Sequence, residues 1–324
     1  MEIGSFIGLD LRDNLEYYKG EKNIARLNSA RAGIYHACRT LNCGLIHIPF
    51  YLCPTVKRFL SEHGITIKQY FINDNFEPID ISQQKCEAVL LVNYFGIISS
   101  GKIKSLASRF KNVIIDNSAA FYSEPMEGCL NVYSPRKFFG VPDGCYVIGA
   151  HADKYVVDYG QDFSSNTASF LLKRMEYSTS ETYGERMRNE ERIDGSGVLK
   201  MSQLTRSLLK SINYSSVKVK RHSNMQYASD LFQSINRLNP AFYSDELCVP
   251  MVYPLVIEDE TLTERLRANK IYVGRLWKAV LEEVPKNSFE AFLSKYLVPI
   301  PIDQRYSKGD ISLIYILIVE GVRQ

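Results

Sequence analysis

Residues 131–149 read NVYSPRKFFGVPDGCYVIG, two strand-like stretches enclosing a turn-rich loop with a single lysine, Lys137. Pro135 on one side and Gly140, Pro142 and Gly144 on the other interrupt regular structure there. A lone lysine is ordinarily a solvated surface charge. This one gains weight from Asp116, which ends the strand-like run NVIID (112–116) about twenty residues earlier. The carboxyl ends of strands in an open α/β sheet are where ligands bind.

The flanking sequence supports such a sheet. Between Leu45 and Ile148, short apolar runs alternate with amphipathic stretches: LIHI (45–48), then 55–63, TIKQYF (66–71), EAVLLVNYF (87–95), 102–110, NVIID and CYVI (145–148). The alternation predicts β-α-β units and a mostly parallel sheet with helices on both faces. A run as apolar as AVLLV suits a strand covered on both sides. Upstream, Ser29 opens ARAGIYHACRTL (30–41) as a plausible N-cap. Ile34, Ala37, Cys38 and Leu41 fall at i, i+3, i+4 and i+7, the spacing of one buried helical face.

Downstream the pattern changes. The stretch 150–200 is polar, Ser-rich and charged, which predicts helix pieces and loops rather than sheet. From Met201 to about Ile235 a long helical pattern returns, and its basic run Lys218-Val219-Lys220-Arg221 reads as a solvated helical face. After Pro250 come PMVYPLVI (250–257), a helix over 261–269, IYV (271–273), a helix near 287–295 and a terminal helix after Lys308. A length of 324 residues with 45% hydrophobic content fills a large core and a smaller second one. The expected organisation is an α/β domain over 1–210 and a smaller C-terminal α+β domain over 211–324.

Composition narrows the function classes. A formal net charge of +3, with no tract of clustered Lys and Arg interleaved with aromatics, argues against a nucleic-acid partner. Seven cysteines (38, 43, 53, 86, 129, 145 and 248) form no CxxC pair, no His cluster stands at metal-ligand spacing, and an odd count argues against a disulfide framework. No metal site is expected. The start, MEIGSFIGLDLRDN, lacks a basic region followed by an apolar run, and the longest apolar stretches, near 88–98 and 311–319, are too short for a bilayer. The expectation is a soluble, cytoplasmic protein with no membrane partner.

The order of helix start, strand-ending Asp and loop Lys before a Gly-containing turn resembles the DegT/DnrJ/StrS family of sugar aminotransferases, which use pyridoxal 5'-phosphate (PLP). NSARAGIYHA (28–37), IPFYLCPTV (48–56), LLVNYFG (90–96), VIIDNSAAF (113–121), SPRKFFGVPDG (134–144) and LVPIPIDQRY (297–306) carry the resemblance, in order and over nearly the whole chain. It implies an aspartate-aminotransferase-like (type I PLP) fold and a homodimer with shared active sites. It also assigns Lys137 the bond to the cofactor aldehyde and the proton transfers at the substrate carbon. The family's sugar-dehydratase branch has a His at that place.

Asp116 is the residue that would keep the cofactor's pyridine nitrogen protonated. A charge pair ~4 Å apart at an effective dielectric near 20 contributes about 4 kcal/mol, roughly three pKa units. Read without the family, Asp116 is a cap for the turn after its strand. Ser29, Ala30 and Arg31 stand where a helix start offers unpaired N–H groups to a phosphate, or where a simple N-cap would stand. Ser134 is a further phosphate contact by position, and Arg136 adds charge, although both also fit ordinary loop residues. By strict register Cys53 takes the place of the aromatic that covers the cofactor in this family, with Tyr51 as the stacking alternative or an ordinary packing residue. Asn93 matches a pocket-lining position or serves only to satisfy backbone groups.

The match departs around one pocket. Ala119 stands where the family has His or Gln, Val132 replaces a Ser, Arg136 replaces a Thr, the acidic Gly-rich turn reads PDG, and GVLKMS (197–202) puts Val198 where a partner-subunit Asn is usual. Resemblance implies transfer of an amino group from a donor such as glutamate to a nucleotide-linked keto sugar, for surface polysaccharide or a related glycoconjugate. The departures keep two other readings open: a non-catalytic relative serving as a binding or assembly module, and a PLP enzyme with another substrate. The segment 160–200 and Trp277 in GRLW (274–277) are candidates for the acceptor site, with Trp277 equally a core anchor of the smaller domain.

Overall fold

The apolar runs lie side by side in register: Val89 pairs with Val113, Leu91 with Ile115, and Val92 stands opposite Asp116. The computed structural model describes residues 6–243 and 249–322, so Cys248 lies outside the described residues. The strands are β1 (Ile24–Leu27), β2 (Leu45–Pro49), β3 (Thr66–Ile72), β4 (Pro78–Ile79), β5 (Glu87–Val92), β6 (Val113–Asp116), β7 (Leu130–Tyr133), β8 (Cys145–Ile148), β9 (Gly160–Gln161), β10 (Leu199–Lys200), β11 (Tyr253–Val256) and β12 (Leu297–Ile300). The helices are α1 (Ala30–Thr40), α2 (Pro54–Glu62), α3 (Ser100–Ala107), α4 (Ser169–Lys173), α5 (Thr179–Asp194), α6 (Gln203–Lys210), α7 (Tyr214–Phe232), α8 (Leu262–Ala268), α9 (Phe289–Tyr296) and α10 (Lys308–Val322).

One sheet runs in the order β4-β3-β2-β5-β6-β7-β8-β1-β10-β9. Strands β3, β2, β5, β6 and β7 are mutually parallel, as the alternation predicts, while β8 and β1 run antiparallel to their neighbours. Alternate side chains serve opposite faces. Val89, Leu91, Val113 and Ile115 join one buried cluster, and Ala88, Leu90 and Ile114 join another with Ile34 and Ala37 of α1 and Leu60 of α2. Where α1 crosses the sheet the contact is close: a Cβ on Gly33 would stand 2.5 Å from Cys145 Sγ. That proximity sets the start of α1 against the ends of β7 and β8.

The first cluster does not stop at the sheet. Leu255 of β11, Val298 of β12 and Ile311 of α10 belong to it, so the C-terminal elements share a core with β5 and β6. The antiparallel pair β11–β12 forms its own two-stranded sheet.

The structure corrects several expectations. The helical pattern over 201–235 is two helices, because Asn213 caps α7 by accepting from the Ser216 amide and ends the continuity with α6. The polar stretch 150–200 is helical around α4 and α5, yet β9 and β10 extend the sheet edge within it. IYV (271–273) is not a strand, and LVPI (297–300) pairs with β11 instead. Arg221, read as part of a solvated face, is 2% exposed. Its guanidinium is held by Gln304 Oε1 at 3.0 Å and by the carbonyl oxygens of Met251 at 3.0 Å and Pro250 at 3.2 Å, partners that periodicity does not reveal.

Candidate active site

Four strand ends converge on one cavity. Val92 closes β5, Asp116 closes β6, Ser134 follows β7, and Leu52 and Cys53 follow β2; all line a space of about 310 Å³. The position is that expected for a ligand in an open α/β sheet, and the volume suits a small cofactor or substrate.

The loop after β7 delivers Lys137. Pro135 opens a single 3-10 turn, in which the Pro135 carbonyl accepts from the Phe138 and Phe139 amides at 3.0 and 2.9 Å. Lys137 ends that turn, is exposed and lines the cavity, and its ammonium has no hydrogen bond or ion pair among the described residues. Gly144, with φ +122°, returns the chain to β8, and its amide donates to the Asn28 carbonyl at 2.8 Å. Asn28 is fully buried; its side-chain amide donates to Ser196 Oγ at 2.9 Å and its Oδ1 accepts from Leu199 N at 3.3 Å. One residue thereby ties the Lys137 loop, the start of α1 and strand β10, next to the sheet edge, together.

Asp116 is 7% exposed and accepts from the Ser118 amide through Oδ1 at 2.8 Å. This is the turn cap foreseen for a strand-ending Asp, and the same side chain lines the cavity. Ser118 Oγ is buried with no partner among the described residues and also lines the cavity.

Opposite stands the start of α1. Ser29 is extended, at φ −151° and ψ 156°, and accepts from the Ala32 amide at 3.4 Å; Ala30 and Arg31 join it in the cavity wall. Arg31 is ion-paired to Asp194, and Arg136 to Glu190 at 2.5 Å. Three cationic side chains, Arg31, Arg136 and Lys137, thus share the wall with three carboxylates, Asp116, Glu190 and Asp194.

Two anticipated residues stand behind the wall. Tyr51 is fully buried, donates to the Leu276 carbonyl at 2.6 Å, and sits edge-on to Trp277 at 5.0 Å between ring centroids. Asn93, 2% exposed, donates to Asn117 Oδ1 at 3.0 Å. Neither is among the cavity-lining residues, whereas Cys53 is. Trp277 lines the cavity and also packs on the larger apolar cluster. Ala119 lines the cavity as well, while Val132 is wholly buried in the apolar cluster on the α1 side.

Ser118, Phe95 and Met251 were not singled out in the sequence, and Glu190 and Asp194 only as part of the segment 160–200. Only Glu190 and Asp194 carried a signal, the i, i+4 spacing that puts two carboxylates on one helical face. Phe95 shows φ +58°, a left-handed backbone uncommon for a bulky residue, and its carbonyl accepts from Met251 N at 2.8 Å.

No family model matches the chain, and no curated protein matches it either. Solved structures do match. Sugar aminotransferase CalS13 from Micromonospora echinospora superposes with a TM-score of 0.58 at 15% identity, over 93% of this chain and 88% of that one. The chain has the fold of the sugar aminotransferases. A DegT DnrJ EryC1 StrS aminotransferase from Brucella abortus shares this sugar-aminotransferase fold, with a TM-score of 0.58 at 13% identity over 94% and 87% of the two chains. So does DesI, solved in the presence of its TDP-sugar product, with a TM-score of 0.63 at 14% identity over 92% and 80%. The type I fold expected from the short motifs is therefore the fold observed. Among the described residues no helix of the sugar-aminotransferase fold here is long and apolar enough to cross a membrane.

Proposed function

We propose that the chain is a PLP-dependent aminotransferase that moves an amino group from an amino acid such as glutamate to a nucleotide-linked keto sugar. The observation that carries this reading is Lys137, an amine without a polar partner in a cavity whose wall also holds the buried carboxylate of Asp116.

The residues present fit the cofactor. Lys137 offers a primary amine to its aldehyde, Asp116 a carboxylate to its pyridine nitrogen, and the start of α1 with Ser134 the donors for its phosphate. Ser118 Oγ, buried and unpartnered, is a polar atom that a bound ligand would satisfy. When bound, PLP supplies an electron sink for the carbon that loses or gains the amine.

The protein's own part is positional and electrostatic. Asp116 spends Oδ1 on the Ser118 amide, which fixes the carboxylate and leaves Oδ2 to hold a proton at a ring nitrogen. Lys137, as the neutral amine, would take a proton from the reacting carbon and, then protonated, return it. Leu52, Tyr94, Phe95 and Trp277 form an apolar part of the same wall.

DesI, with its TDP-sugar product, supports a nucleotide-linked sugar as the acceptor class. A second copy of this chain is the proposed partner. Phe163, Leu172 and Met175, exposed at 74, 59 and 83%, precede α5 and present an apolar surface for it to cover. The proposed location is the cytoplasm, where such amino donors and sugar nucleotides are available.

The test is the visible absorbance of protein purified with added PLP, beside Lys137→Ala, before and after glutamate. A cofactor band that needs Lys137 and bleaches with glutamate is the expected result. A band unchanged by glutamate would point to another donor or reaction, and no band at all would overturn the reading.

A further inference from the structure

Two guanidiniums reach the cavity, and each is held by a carboxylate of the same helix. Arg31 Nη1 pairs with Asp194 Oδ1, and Arg136 Nη2 with Glu190 Oε1 at 2.5 Å. Glu190 and Asp194 are one turn apart on α5, so one face of that helix presents both. The Arg31 side chain is 9% exposed, and among the described residues neither its Nε nor that of Arg136 has a partner. Each guanidinium is therefore only partly satisfied, although its planar fork is built for bidentate capture of an oxyanion.

The other donors around them point to the same kind of ligand. α1 presents its unpaired first amides beside Arg31, and Ser118 Oγ is buried in the same wall without a partner. Asp194 also has somewhere else to go. Arg58 Nη2, on the exposed side of α2, lies 3.7 Å from its Oδ2, so Asp194 can release Arg31 without becoming an isolated charge.

We propose that Glu190 and Asp194 are internal counter-ions of a dianion site, holding Arg31 and Arg136 until a phosphate monoester displaces them. Two carboxylates and one phosphate dianion carry about the same charge. The exchange is consequently close to neutral, and the affinity for phosphate lies below what two unpaired arginines would give. The entering group exchanges two ion pairs for charge-assisted bonds to both forks and to the start of α1. The identity of that group as the cofactor's phosphate rests on the proposed function; the counter-ion role does not.

Inorganic phosphate is the direct probe. The thermal midpoint of the cofactor-free full chain, followed against phosphate at constant ionic strength, gives an apparent affinity. Glu190→Gln with Asp194→Asn is expected to raise that affinity about tenfold, and Arg31→Gln or Arg136→Gln to lower it about tenfold. The single acidic variants, each expected to raise it about threefold, decide the question in the same way if the double variant does not fold. Unchanged or weaker phosphate binding in the acidic variants overturns the proposal, because carboxylates that merely pin α5 in place would leave it so. A Lys137-dependent cofactor band with unaltered phosphate affinity would sink only the counter-ion role. Raised phosphate affinity without a cofactor band would sink only the aminotransferase reading.

Discussion

The Arg221 guanidinium lies 4.5 Å from the ring centroid of Phe138 and donates to the carbonyl oxygen of that residue, immediately after Lys137. Gln304 Nε2 donates to the same oxygen at 2.9 Å. Helix α7 and the segment after β12 thus grip the loop that carries Lys137, and their other bonds reach the carbonyls of Pro250 and Met251. Arg221→Met removes the donor to the Pro250 and Met251 carbonyls and is expected to lower stability by about 3 kcal/mol in urea unfolding. Arg221→Lys should recover less than half of that, since an ammonium lacks the fork. Full recovery by Lys would mean that charge alone matters.

Tyr51 separates a bracing role from a stacking role. Its hydroxyl donates to the buried Leu276 carbonyl, beside Trp277 in the cavity wall. Tyr51→Phe should cost roughly 1–2 kcal/mol of stability through the orphaned carbonyl and leave the cofactor absorbance unshifted. A displaced absorbance maximum would place the ring against the cofactor instead.

Gly33 is required by contact rather than by backbone angle. A Cβ there meets Cys145 Sγ at 2.5 Å and Val132 Cγ1 and Val147 Cγ2 at 3.1 Å. Gly33→Ala is expected to destabilise by about 1–3 kcal/mol and to weaken cofactor binding by tilting the start of α1. Adding Cys145→Ala should restore part of both. No rescue by the second substitution would put the strain elsewhere.

Asp143, in the turn after Lys137, is fully buried, with Ser202 N donating to Oδ2 and Ser202 Oγ to Oδ1, each at 2.9 Å. Burial raises its pKa to about 7, and the neighbouring Asp162 acts in the same direction. A folded value above the unfolded one means that the folded chain binds the proton more tightly. The resulting stability is complete below the unfolded value of ~3.9 and is lost as pH rises through about 7. The stability of the wild type relative to Asp143→Asn should therefore decline between about pH 4 and 8, by at most on the order of 1.4 kcal/mol for each pH step of one. A difference independent of pH would show that Asp143 ionises normally.

The central sheet was legible because β2, β5 and β6 are apolar runs whose partners follow the same rule. β1 was not: IARL is four residues long, contains an Arg, and pairs with residues 145–148. Short-range periodicity carries no information about so distant a partner. Of the candidate site, the sequence picked out a strand end and a loop, at Asp116 and Lys137, that the fold brings into one cavity wall. The site was obscure where charge is read against tertiary surroundings. Arg221 looked like one cation in a basic run, and Glu190 and Asp194 were not distinguished within the segment 160–200, until the elements facing them were known.

The place of β1 between β8 and β10 bears on how the chain reaches this structure. Strand β1 must wait for partners more than a hundred positions later, from Ile24 to Ile148, before its backbone groups are paired. Such separations raise the contact order, and high contact order slows folding because the chain must close a long loop before any pairing rewards it. Until β1 inserts, β8 presents an open edge, the kind of surface on which other chains add strands. The interval between synthesis of β8 and docking of β1 is thus the stage at which this protein is most exposed to aggregation and most dependent on folding assistance.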